Sequence, residues 1–134
     1  MRSRNSVLIP VLISLAVFLP GLAQSEDLAG YDGAQLYKRL CASCHGPAGA
    51  GDGPVAANFR TRLPDLTGIA ARRSGQFPED RVRQIIDGRA GAGAHGAREM
   101  PVWGNDLRAA GSDPDVIISR LLAQLRSMQK PGRP

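Results

Sequence analysis

Cys41, Cys44 and His45 stand within seven residues, LCASCHG at 40–46, and they are both of the cysteines and one of the two histidines in this 134-residue chain. Two thiols and an imidazole at this spacing suit four chemistries: a disulfide, a redox dithiol, a zinc site, or attachment of a haem. Exported proteins often pair their cysteines, but a ring this small constrains the unfolded chain little and adds little stability. A thioredoxin-like dithiol shares the spacing and sits beside a βαβ pattern, whereas no stretch here reads as a strand. Zinc has a nominal Cys₂His₂ set in Cys41, Cys44, His45 and His95. Structural zinc, however, draws its ligands from two spaced pairs, and adjacent helical side chains diverge instead of converging on one ion.

The haem reading uses every atom. C-x-x-C-H is the c-type attachment signature: Cys41 and Cys44 add across two vinyl groups as thioethers, and His45 turns beneath the ring towards the iron. A second axial ligand then decides between electron transfer and ligand chemistry. His95, Met100 and Met128 are the candidates. Met128 falls on the apolar stripe of a helix, which explains it as core, and His95 lies in a Gly/Ala loop, where a solvated histidine is ordinary. Met100 is the better ligand, because Pro101 holds it extended and Gly91, Gly93 and Gly96 let the backbone approach a flat ring. Trp103 either packs on the haem edge or belongs to the ordinary core.

These residues need elements to carry them. Gly33, Leu36, Tyr37, Leu40, Cys41 and Cys44 recur at spacings of three and four, predicting a helix over 32–44 with Asp32 as its N-cap. GPAGAGDGPVAAN, which follows, is loop composition. LPDLTG reads as a turn around Pro64. Pro78, Glu79 and Asp80 open a second short helix, with Val82, Ile85 and Ile86 facing inward and Gly88 ending it. The last helix starts at Ser112 or Asp113 and carries Ile117, Leu121, Leu125 and Met128, its face broadened by Val116, Ile118 and Leu122. The fold class is all-α, small and loop-rich, and loops this long are expected to carry function.

The amino terminus differs from the rest. Arg2 and Arg4 precede an apolar run from Val7 to Leu19, with Gly21-Leu22-Ala23 behind it, the pattern of a secretory signal. The run falls short of the roughly 20 residues of a bilayer-spanning helix, so cleavage is expected after Ala23, leaving a single domain over 24–134. Loss of the two arginines lowers a net charge of +5. The mildly basic remainder has no run of like charges, which argues against nucleic acid and favours an acidic docking partner. Tyr31, Tyr37, Phe59, Phe77 and Trp103 are the only aromatics after the signal, so the core is modest and a bulky apolar cofactor would help to fill it.

In order along the chain, CASCHG, GAGDGP, LPDLTG and REMPVWG resemble the class I monohaem cytochromes c of bacteria, over essentially 30–125. The resemblance implies a three-to-four helix globule, its first and last helices crossing, around one covalently attached haem c. It places Cys41 and Cys44 at the thioethers, His45 as proximal and Met100 as distal ligand. It also makes Pro64 the carbonyl acceptor for the proximal imidazole N–H, a contact that orients a ligand, and Leu66 a haem-packing residue. Gly33 falls at the helix crossing, where Leu121 and Leu122 replace the aromatic of many relatives; the methionine loop is longer and richer in charge than in the smallest carriers, so His95 and Arg98 are expected near a haem propionate. The expected function is a periplasmic monomer that passes one electron between a redox donor and acceptor with no substrate turnover, touching membranes only through partner complexes. The alternatives are a haem subunit of an oxidase or dehydrogenase complex, and a five-coordinate haem binding a gas or peroxide.

Overall fold

The computed structural model describes residues 28–90 and 100–131. The leader-like segment, His95 and Arg98 lie outside the described residues. Among the described residues there are helices and turns and no strand, and no helix is long and apolar enough to cross a membrane. Five α-helices follow one another: α1 (Gly33–Leu40), α2 (Ala42–His45), α3 (Glu79–Asp87), α4 (Trp103–Ala109) and α5 (Pro114–Ser127). Short 3₁₀ turns at Leu28–Gly30, Ala56–Asn58, Leu66–Gly68 and Ala71–Arg73 fill the connections.

The start of α1 is written locally. The Asp32 carboxylate accepts from the Gln35 N–H at 2.8 Å, and the Gln35 side chain accepts from the Asp32 N–H at 2.9 Å, a reciprocal cap that satisfies two otherwise open donors. The helix expected over 32–44 is broken in two. Cys41 adopts φ −119°, so α1 stops at Leu40 and a separate turn, α2, carries Ala42 to His45. Asp113 caps α5 by accepting from the Asp115 N–H at 2.9 Å, with Pro114 in the first turn. Pro78 stands at the N-cap of α3, one place earlier than expected, and Gly88 closes that helix at φ +86°.

The core lies between α1 and α5. Leu36, Ile117, Ile118, Leu121 and Leu122 are all but completely buried, and burying each such side chain contributes roughly 1.5–3 kcal/mol. The helices cross at Gly33, where an added Cβ would lie 2.5 Å from the Arg120 carbonyl oxygen, so only a glycine permits this approach. Val116, expected to broaden the inner face of α5, is instead 42% exposed. The helical period places it two residues before the buried Ile118, off the stripe that faces α1. α3 packs on α5, and α4, which the sequence pattern did not announce, packs on α3 and α5 through the buried Leu107.

Candidate functional site

The break at Cys41 turns α2 so that Cys41 and His45 are buried and Cys44 is half-buried at the edge. What fixes α2 is the glycine-rich loop behind it. The last carbonyls of a helix lack partners within it. Here the Val55, Gly53 and Gly51 N–H groups donate to the carbonyls of Ser43, Cys44 and His45 at 3.1, 3.1 and 2.9 Å. Gly51 has φ +80°, and an added Cβ would lie 3.0 Å from the Leu63 carbonyl carbon, so the loop brings Leu63 and Pro64 directly against the segment that carries His45. The Leu66 N–H then donates to the Gly49 carbonyl at 2.7 Å, and the Tyr37 hydroxyl donates to the Gly46 carbonyl at 2.7 Å. Burial, reinforced by the charges of Cys41 and Asp52, pushes the Tyr37 phenol up to about 12 and keeps it a donor.

The turn after Pro64 is held from the far end of the chain. Asp65 caps it by accepting from the Thr67 N–H at 2.8 Å. The Gln129 side chain accepts from the Ala70 N–H at 2.9 Å and donates to the carbonyls of Leu66 and Leu125 at 2.9 and 2.7 Å. The Lys130 N–H donates to the Thr67 carbonyl at 2.9 Å.

Two adjoining cavities open between these elements, of about 270 and 220 Å³. Cys41, His45, Pro64 and Met100 line both. The first adds Cys44, Phe59 and Trp103, with Thr61 and Arg62 on its wall; the second adds Leu66, Ile69 and Ile86, with Arg72, Arg73 and Arg81. The structure therefore brings together Cys41, Cys44, His45, Pro64, Leu66, Met100 and Trp103. Met128 lines neither cavity; it ends α5 beside Gly49 and Thr67. Phe59, Leu63 and Ile69 were not singled out from the sequence, since isolated apolar residues in loops give no periodic signal.

No disulfide joins the two cysteines. Burial, with the charge of Cys44 second, pushes the Cys41 thiol up to about 12, the reverse of the lowered value that marks a reactive dithiol. Among the described residues no group of three or more His, Cys, Asp or Glu side chains could hold a metal ion. The residues do fit a haem. Two thiols stand at the edge of an apolar space that also receives an imidazole and a thioether, and four arginines offer positive charge for the two carboxylates of the ring. Linked end to end, the cavities reach the size of a cofactor pocket, roughly 300–1,000 Å³.

The family model described as Cytochrome c matches residues 31–113. No curated protein matches the chain.

Proposed function

The chain belongs to the cytochrome c family, and from that premise we propose that it is an exported single-haem carrier whose iron is held by His45 and Met100. Membership makes it a haem-based electron-transfer protein with covalently attached haem c. When bound, that group supplies one iron that alternates between the ferric and ferrous states.

The observation that carries the reading is the lining shared by the two cavities: Cys41, His45, Pro64 and Met100 belong to both. Cys41 and Cys44 are the thioether positions, and buried His45 supplies the imidazole. Pro64, set against the His45 segment through Gly51, would accept the imidazole N–H and so orient the ring. Met100 supplies a thioether, which favours the reduced state and raises the potential. Leu66, Ile69 and Ile86 keep water from the inner cavity, while Trp103 packs at the outer one.

Cys44 is half-buried, and the exposed Arg62 lines the same cavity. An electron enters and leaves most readily at that edge, and its positive rim suits an acidic redox partner. The leader-like run at 7–19 supports a periplasmic location, with the carrier acting as a monomer that meets membranes through partner complexes.

Visible spectra of the purified protein in both redox states test the reading. The expected result is a low-spin haem that stays with the chain under denaturing extraction. The ferric form should show the far-red thioether-to-iron band, and the ferrous form should fail to bind carbon monoxide at neutral pH. Ready carbon monoxide binding would replace this reading with a five-coordinate haem that takes a gas or a peroxide.

A further inference from the structure

Asp87 ends α3 with its side chain 2% exposed, yet it lines neither cavity. An acid in the last turn of a helix opposes the helix dipole, and acids are almost never fully buried unless paired. Its partners reach in from solvent. Arg108 of α4 meets Oδ1 at 3.3 Å and Arg89 meets Oδ2, while both guanidinium-bearing side chains remain more than half exposed.

The buried carboxylate also fixes the backbone beside it. Gly104 in the first turn of α4 is buried, and a Cβ there would run into the Asp87 carboxylate and lie 2.8 Å from its carbonyl oxygen. The next residue, Gly88, seats Val102: a Cβ at Gly88 would lie 3.1 Å from the Val102 Cβ. Asp87 and Gly88 thus grip residues 102–104. Between that grip and Met100 stands only Pro101, whose ring fixes φ.

From this grip we infer that Asp87 is the positioning residue for Met100, holding the thioether where it ligates; the inference rests on reading Met100 as an iron ligand. α3 and α4 cannot part at this point without exposing a paired charge, so the segment that follows Met100 is located by an ion cluster and not by a ladder of backbone hydrogen bonds. A partner outside the ligand set that orients a ligand typically affects metal affinity by about 10–100-fold.

Imidazole, which competes with the thioether for ferric iron, is the probe. Titrating ferric holoprotein with it, and following loss of the far-red band, should show Asp87→Asn binding imidazole about 10–100-fold more tightly than the parent, together with a lower midpoint potential. Arg108→Ala should shift both in the same direction by less. Arg126→Ala, which breaks the Arg126–Glu79 ion pair elsewhere on the surface, should shift neither. Parent-like imidazole affinity and potential in Asp87→Asn would overturn the inference even if the variant melted lower, since a purely structural role moves only the melting temperature. If Asp87→Asn fails to accumulate as folded holoprotein, Arg108→Ala decides in the same way, and unchanged affinity there overturns the proposal. A parent without the far-red band would remove Met100 as a ligand and overturn both readings, so the two failures are told apart by the parent spectrum.

Discussion

His45 sits at the end of a turn whose carbonyls are each taken up by a loop amide, and the Pro64 segment beside it is tied to that loop and to the end of α5. Met100 reaches the same two cavities on a segment located by side chains, the Asp87 cluster above all. The first wall is built cooperatively from backbone and side-chain hydrogen bonds, while the second depends on a few contacts. Under the proposed ligation, that difference suits a site in which His45 must survive assembly and Met100 tunes the iron. It teaches that damage to the two walls should have different kinds of consequence and not merely different sizes.

The largest test of the difference compares the two proposed ligands directly. His45→Ala removes the imidazole from the rigid wall and should prevent holoprotein from accumulating, as read by haem staining and visible absorption. Met100→Ala should leave haem covalently attached through Cys41 and Cys44 while losing the far-red band and lowering the midpoint potential. Equal loss of haem in both variants would break the comparison.

Gly51→Ala attacks the rigid wall without touching a ligand. The residue needs φ +80°, and its Cβ would press on the Leu63 carbonyl group. Left-handed strain and overpacking together predict a loss of about 2–4 kcal/mol, measured by denaturant unfolding of the holoprotein. Its effect on the far-red band should be smaller than that of Asp87→Asn, because the disturbance lies on the His45 side.

A smaller loss is expected for Gln129→Ala. The side chain satisfies the Ala70 N–H and the Leu66 and Leu125 carbonyls, and leaving such groups unpaired costs about 1–3 kcal/mol. If stability were unchanged, the tie between α5 and the Pro64 turn would carry no weight, and the contrast between the walls would rest on the glycine loop alone.

What could be read from the sequence follows the same division. Asp32, Asp113 and Gly88 announce helix ends because caps act over three or four residues. Cys41, Cys44 and His45 stand out as candidates because a short attachment motif constrains them, Met100 because Pro101 and the nearby glycines favour it, and Pro64 only through the family resemblance. α4 gave no such signal: Gly104 and Asn105 are poor helix formers, and among its residues only Gly104 and Leu107 are buried. Its start is set from outside by Asp87, whose one clue was an acid at the wrong end of a helix. Gln129 was equally hidden, since Leu66 and Ala70 lie 63 and 59 residues away in sequence. The break at Cys41 likewise follows from the loop that folds back on α2 and not from local propensity.

The smallest effect concerns Asp65, on the rigid wall. Thr67 donates to its carboxylate from both hydroxyl and backbone N–H, at 2.6 and 2.8 Å, and Lys130 lies 3.8 Å away. The Thr67 hydroxyl first, then the Thr67 N–H and the charges of Lys130 and Arg72, hold this carboxyl below its ordinary value against a desolvation effect of opposite sign. A folded value below the unfolded one means that stability from this group is present above the ordinary aspartate range. It is lost as the pH falls through the lower folded value. The side chain is 42% exposed, so solvent screens the contribution. Asp65→Asn keeps an oxygen that accepts from Thr67 but removes the charge, and should therefore melt slightly below the parent at neutral pH. The two melting curves should converge as the pH drops below the folded value. A difference that persists unchanged into strong acid would show that the turn answers to hydrogen-bond geometry and not to charge, leaving the Gln129 tie as the principal restraint on that side of His45.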